Sequence, residues 1–242
     1  MELHLAWLYD DLLELYGDRG NVTVLRERCA KRGITLHVHQ YSVGDQFDLT
    51  KMDMIFIGGG SDREQNIIYE DLLARREDFV MAIENNAVVL LICGGYQMLG
   101  QYYKDLDGKM IPGLGIFDYY TESSRDRMVG YIGIDCHIDG HNFQLVGFEN
   151  HGGKTQNVAT PLGSVFAGHG NNGTDGQEGV LYKNVFGTYL HGPLLPRNPE
   201  LADLFIEKMM RRYEATYVPV ALDDSLELGA KQQVIRELKA QI

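Results

Sequence analysis

The segment Ala87–Ile92 reads AVVLLI, an unbroken apolar run rich in Val, Leu and Ile that meets Cys93-Gly94-Gly95 at once. A run this short and this uniformly apolar is the mark of a central strand covered on both faces, since a strand with one wet face alternates with polar residues. It therefore calls for helices above and below the sheet. The preceding sequence supplies them. Glu2–Leu8 is apolar enough for a first strand. Asn21–Arg32 carries Val22, Leu25 and Cys29 near helical spacing and stops at Gly33. Ile34–His39 alternates with period two and reads as a second strand. MDMIFIGGG is a buried strand running into a glycine turn, Asp62 is an N-cap for a helix through Ala74, and a further helix covers Glu77–Asn85.

This βαβαβ rhythm predicts an α/β chain with an open, mostly parallel sheet and helices on both faces. After Gly113 the texture changes to short, glycine-punctuated runs, YIGIDCHI, FQLVGFEN, SVFAGHG, GVLYKN and VFGTYLHG. These predict antiparallel additions forming the second half of the same sheet. Gly168–Gly179 reads as a surface loop. Pro199–Arg212 is expected as a helix opened by proline, and Ser225–Ala240 as a C-terminal helix. No linker composition interrupts residues 1–242, so one domain is expected, with a helical extension from about 199.

The chemistry concentrates at strand ends. At Leu90–Gly100, LLICGGYQMLG, a strand ends on Cys93 and a helix starts directly after it, the geometry of a nucleophile elbow. A helix N-terminus beside the sulfur favours thiolate, the nucleophilic form. A buried core cysteine is the competing reading; the double glycine and the strand-to-helix junction favour function. A thiolate needs a base, and His191 in GTYLHGP also follows a strand-like run. Three glycines in FIGGGSDREQ, Gly58–Gly60, follow another buried strand. The sequence lacks a GKS or GKT ending and a GxGxxG pattern, so a phosphate loop is disfavoured. An oxyanion hole fits better, with an amide of Gly59 or Gly60 pairing with that of Gly94, each donor worth about 3 kcal/mol to a transition state. His151, beside Asn150 in FENHGG, is expected to line the site. His37 and His39 share a strand face without an accompanying carboxylate cluster, and no metal site is expected.

Composition bounds the partners. With 22 basic and 34 acidic residues the formal charge is −12, which weighs against nucleic acid, whose phosphates need a basic face. Three scattered cysteines do not make a disulfide framework, and no apolar stretch approaches the ~18 residues of a membrane span. A cytoplasmic protein is expected, without a signal peptide.

Cys93, Gly95 and Gln97 match the Cys-x-Gly-x-Gln signature of class I glutamine amidotransferases, and Gly58–Gly60, Cys93 and His191 fall in that family's order. The chain resembles its cobyric acid synthase-like branch in CGGYQ, GFENH and TYLHG. The ordered strings LYGDRGN, IGGGSDREQ, ICGGYQMLG, YTESSRDRMVG, VGFENHGGKT and GTYLHGPLLP look like the glutaminase subunits of lipid II isoglutaminyl synthases, from about Leu15 to Pro196.

The resemblance implies a flavodoxin-like three-layer sandwich in which Cys93 attacks the side-chain amide of L-glutamine and His191 moves the protons. It implies that Arg127 holds the substrate through guanidinium–carboxylate pairing, with Gln97, Asn150 and His151 around it. It implies no cofactor in this chain. The released ammonia passes to a Mur-ligase-like synthetase subunit (MurT-type) in a heterodimer. That partner uses ATP and Mg²⁺ to amidate D-glutamate of lipid II, which places the pair near the inner face of the membrane. Many class I enzymes carry an acid two residues beyond the histidine; that position is Pro193 here. A Cys93–His191 dyad is expected instead, with Glu149 as a substitute orienting acid. Two other readings stay open, a stand-alone Cys peptidase or deglycase on the same fold and a binding module with an inactive site.

Overall fold

A computed structural model describes residues 1–241. In chain order the first half runs β1 (Glu2–Leu8), α1 (Arg19–Ala30), β2 (Thr35–Tyr41), β3 (Met54–Ile57), α2 (Asp62–Ala74), α3 (Arg76–Glu84), β4 (Val88–Ile92) and α4 (Gly94–Met98). The short strands β5 (Tyr102–Lys104) and β6 (Met110–Pro112) lead to a long pair, β7 (Tyr120–Ile138) and β8 (His141–Gln156). Then come β9 (Gly163–Ala167), β10 (Gln177–Glu178), β11 (Val180–Tyr182), β12 (Val185–Thr188), α5 (Leu194–Arg197), α6 (Pro199–Arg211) and α7 (Ser225–Lys239).

The first sheet has the order β11-β12-β4-β3-β1-β2. It is parallel throughout except for β11, which runs antiparallel to β12. The apolar run that opened the sequence is its middle: Val88 to Ile92 are fully buried, paired to β3 on one side and β12 on the other. The carboxyl ends of β3, β4 and β12 therefore lie side by side, the place where open α/β sheets present ligand sites. The α/β class and the mostly parallel sheet stand as the sequence predicts.

The antiparallel strands differ from expectation in one respect. Only β11 and β12 join the first sheet; the others build a second one, β10-β9-β7-β5-β6, with β8 on β7. The reason is local. β7 and β8 are joined by Asp139-Gly140, both at positive φ (51° and 82°), which is the turn that closes a tight hairpin. They pair with each other from Ile138↔His141 to Tyr120↔Gln156 and leave β4 no share of their edges. One apolar cluster joins the two sheets and includes Ile132, Ile134 and Leu145 from the second and Ile57, Leu91 and Phe186 from the first.

Two other details are corrected. α2 is capped by Ser61, not Asp62, through a reciprocal box with Glu64 that satisfies two otherwise open helix donors. The Gly168–Gly179 segment is a surface loop only in part: Gly168, His169 and Gly173 to Gly176 are exposed, whereas Asn171 and Asn172 are buried within it. The Asn171 carboxamide oxygen accepts from the Tyr96 hydroxyl at 3.2 Å and the Gly179 amide at 2.8 Å. Among the described residues no helix is long and apolar enough to cross a membrane, and no group of three or more His, Cys, Asp or Glu is arranged to hold a metal.

Candidate active site

Cys93 occupies the junction between β4 and α4 with φ 51° and ψ −104°, a conformation few non-glycine residues adopt. Its amide is anchored on the Thr188 carbonyl at 2.8 Å and its carbonyl accepts the Gln97 amide at 2.9 Å, so neighbouring elements hold the strained turn in place. The side chain lines a cavity of about 510 Å³ together with Gly60, Gln65, Gln97, Arg127, Asn150 and His151. The sequence-predicted nucleophile, one oxyanion glycine and all four substrate-side residues are thus brought to one cavity. Because α4 spans only Gly94–Met98, the charged neighbour of the sulfur is His191 more than the helix end.

His191 does not line that cavity. It is fully buried, its backbone bridged to Phe148 in both directions. Tyr16 stands edge-on against the ring at a centroid distance of 4.9 Å. Burial alone would lower the proton affinity of the imidazole. The adjoining Cys93 sulfur and the Asp18 carboxylate outweigh it and raise the pKa well above the ordinary histidine value. Such a histidine is a strong proton acceptor toward the thiol.

The carboxylate placed to orient His191 is Asp18, which the sequence did not single out although it lies in LYGDRGN. Its Oδ1 is 3.8 Å from His191 Nδ1, and its Oδ2 accepts the Gly59 amide at 2.7 Å. Both side chains are fully buried. Glu149 does not take this role. Its carboxylate faces His151 Nε2 at 3.9 Å and accepts from the His169 ring at 2.6 Å and the Gly170 amide at 3.0 Å, neighbours that hold its pKa low against its burial. The expected dyad therefore has an acid behind it, contributed by the loop after β1.

The Gly59 amide, engaged by Asp18, is not a free oxyanion donor; this part of the sequence expectation is corrected. Gly59 instead supplies space. A Cβ there would lie 2.8 Å from His191 Cε1, 3.4 Å from Asp18 Oδ2 and 3.5 Å from Cys93 Cβ. The remaining pair is Gly60 and Gly94. A Cβ on Gly94 would lie 3.1 Å from the Gly60 nitrogen, so the two residues are adjacent, and the Gly94 amide in the first helical turn has no partner within the helix.

Toward the rim, Arg127 donates to the Asn150 carboxamide oxygen at 2.7 Å, and the Asn150 Nδ2 donates to the Tyr16 hydroxyl at 2.6 Å. The guanidinium is exposed, ready to exchange the neutral carboxamide for a carboxylate. Deeper in, Gln97 has both amide atoms engaged, by Gln65 at 2.9 Å and the Tyr189 hydroxyl at 3.1 Å. His151 stacks flat on Tyr189 at 3.6 Å and donates from Nδ1 to the Gly153 carbonyl at 2.7 Å. Sequence reasoning missed Tyr16 and Gln65 as well as Asp18. Nothing in their local patterns distinguishes them from surface residues. A thiol on a strained elbow, a buried acid–imidazole pair and two convergent amides suit acyl transfer from an amide or ester.

Comparison with known proteins agrees. The model of the CobB/CobQ-like glutamine amidotransferase domain matches residues 4–199. The glutamine-hydrolyzing lipid II isoglutaminyl synthase subunit GatD of Staphylococcus aureus (strain N315) is 43% identical over 234 residues, covering 97% of this chain and 95% of that protein. The GatD subunit of Streptococcus pneumoniae (strain ATCC BAA-255 / R6) is 44% identical over 214 residues, covering 87% and 82%. A solved structure described as a glutamine amidotransferase superposes with a TM-score of 0.53 at 15% identity, covering 84% of this chain and 98% of that one, a likeness of fold.

Proposed function

The chain belongs to the CobB/CobQ-like glutamine amidotransferase domain family, and from that premise we propose that it is the glutaminase subunit of a lipid II isoglutaminyl synthase. The reading rests on the match to two such subunits over nearly their whole length. Within the structure it rests on one convergence: Cys93 on its elbow, beside a buried His191 whose proton affinity is raised.

In this mechanism L-glutamine enters with its α-carboxylate on Arg127. His191 takes the Cys93 proton, and the sulfur attacks the γ-carboxamide carbon. The amides of Gly60 and Gly94 receive the oxyanion. The C–N bond breaks as the imidazolium returns the proton to the leaving nitrogen, giving ammonia and a γ-glutamyl thioester. Water, deprotonated by His191, then attacks the thioester, and glutamate leaves with the thiol restored. Asp18 keeps the imidazole oriented and stabilises its charged form.

The ammonia is consumed by a Mur-ligase-like subunit in a heterodimer. That subunit activates the α-carboxyl of D-glutamate in the lipid II stem peptide with ATP and Mg²⁺ and forms D-isoglutamine. This chain works at the cytoplasmic face and needs no cofactor of its own. Glutamate release from L-glutamine by wild type and Cys93→Ala, each with and without the Mur-ligase-like partner, tests the reading. Activity in wild type and loss in the variant are expected. A wild-type complex that releases no glutamate overturns it.

A further inference from the structure

We infer that Gln65 is the residue that separates a γ-carboxamide from a γ-carboxylate, so that the site accepts glutamine and discharges glutamate. The inference rests on the glutaminase reading above.

Gln65 lies in the first turn of α2, just past the Ser61 cap, and is 2% exposed. Its Nε2 donates to Gln97 Oε1 at 2.9 Å and faces the Gly60 carbonyl at 3.5 Å. The chain continues inward: Gln97 Nε2 donates to the Tyr189 hydroxyl at 3.1 Å, which bonds Thr155 Oγ1 at 2.6 Å, and Thr155 bonds Thr121 at 2.8 Å. The row beyond Gln97 runs through hydroxyls that can donate or accept, so it is the Gly60 carbonyl that fixes which way the Gln65 amide points. Reversing it would set oxygen against the Gly60 carbonyl, an acceptor with nothing to donate. The same fixed orientation leaves Gln65 Oε1 buried with no hydrogen-bond partner. A buried carbonyl oxygen without a donor is costly, and a polar network this complete rarely ends on one without a ligand to supply the donor.

The position says which ligand atom. A Cβ on Gly94 would lie 3.0 Å from Gln65 Nε2, so the amide sits beside the Gly60–Gly94 corner, at the reacting end of the cavity. Arg127 and Asn150 lie on β7 and β8 at the rim and serve the other end of the substrate. The group facing Gln65 is thus the one attacked by Cys93. A γ-carboxamide brings N–H bonds and satisfies the orphan acceptor. A γ-carboxylate brings no proton at neutral pH and sets negative charge against the carbonyl oxygen. One side chain therefore favours substrate binding and product departure together.

The test uses the complex with its synthetase partner and two substrates: L-glutamine, and L-glutamate γ-methyl ester, which is close in size and has no N–H on its γ-group. Wild type and Gln65→Met are compared for KM and kcat with each substrate. Inhibition by L-glutamate is measured alongside, with the rate at which the diazoketone analogue of glutamine, which also has no N–H at its reacting end, labels Cys93. In wild type the KM for the ester is expected to exceed that for glutamine by roughly tenfold to a hundredfold. In Gln65→Met the two KM values should converge through a rise for glutamine, and glutamate should inhibit as well as or better than before. Cys93 labelling should stay within about twofold of wild type, the size of an interaction the reagent never makes.

Equal KM values for ester and glutamine in wild type overturn the inference without any variant, so a Gln65→Met protein that fails to fold leaves it decided. A variant that loses glutamine, ester and diazoketone reactions in parallel also overturns it, because Gln65 is then only a support for the elbow. A wild-type complex that hydrolyses neither substrate defeats the glutaminase reading itself, a separate outcome.

Discussion

Asp18 sets Oδ1 3.8 Å from His191 Nδ1 and Oδ2 2.7 Å from the Gly59 amide, so one buried carboxylate bonds the glycine loop and faces the imidazole beyond hydrogen-bond distance. Residues from the loops after β1, β3 and β12 thereby meet beside Cys93. This acid comes from the loop after β1, far from His191 in sequence. Asp18→Asn keeps an acceptor for Gly59 and removes the charge behind the imidazole. It should lower kcat/KM for glutamine by about 10²- to 10⁴-fold with a small change in melting temperature. Steady-state glutamate release and thermal unfolding check this; wild-type kinetics in the variant would remove Asp18 from the machinery.

Gly59→Ala places a methyl group 2.8 Å from His191 Cε1 and 3.5 Å from Cys93 Cβ. The imidazole must shift to admit it, and a displacement of about 1 Å costs a catalytic group about 10²-fold in rate. The expected result is a cooperatively folding protein with kcat reduced by that order, seen by glutaminase assay and calorimetry.

Arg127 is exposed and bonded to a neutral partner, Asn150, so it is available to a substrate carboxylate. Arg127→Ala should raise KM for glutamine by roughly 10- to 100-fold and leave kcat within about threefold, the pattern of lost ground-state binding. Saturation kinetics decide; a fall in kcat at constant KM would contradict the placement.

The three thiols should differ sharply in reactivity. Cys29 is fully buried and burial pushes it up to about 12, though Arg32 opposes the shift; Cys136 is driven higher still by burial. Both are neutral thiols at pH 7.5 and poor nucleophiles. Treatment with a glutamine-analogue electrophile followed by peptide mass spectrometry should find Cys93 modified and the other two untouched.

Glu178 gives a pH signature of stability. It is fully buried, and burial pushes it up to about 8 even though its carboxylate accepts the Tyr189 amide at 2.6 Å and the Thr188 hydroxyl at 3.0 Å. The folded state then binds a proton more tightly than the unfolded state, so stability falls as pH rises from the unfolded pKa of about 4.5 through the folded one and levels off above it. Glu178→Gln cannot titrate. The stability of wild type relative to this variant should therefore decline between about pH 5 and 8, read from melting temperatures; parallel curves would refute the shift.

How much of this was legible beforehand can be seen residue by residue. Cys93, Gly94 and the strand before them announce themselves locally, because a buried strand turning into a helix needs apolar residues up to the turn and small ones within it. His191 could be ranked because it too ends a strand-like run. Asp18 and Gln65 sit in ordinary polar segments, and only their neighbours in space make them unusual.

The sequence by itself determined the α/β class, the parallel core strands and the placing of Cys93 at a strand-to-helix turn, since these follow from side-chain periodicity and turn chemistry within a few residues. It did not determine that β7 and β8 form their own sheet, that the Gly59 amide is engaged, or that Asp18 rather than Glu149 stands behind His191. Those are pairings between distant segments. They are decided by which backbone edges and buried polar groups find partners when the two sheets close on one core, a competition that local pattern does not record.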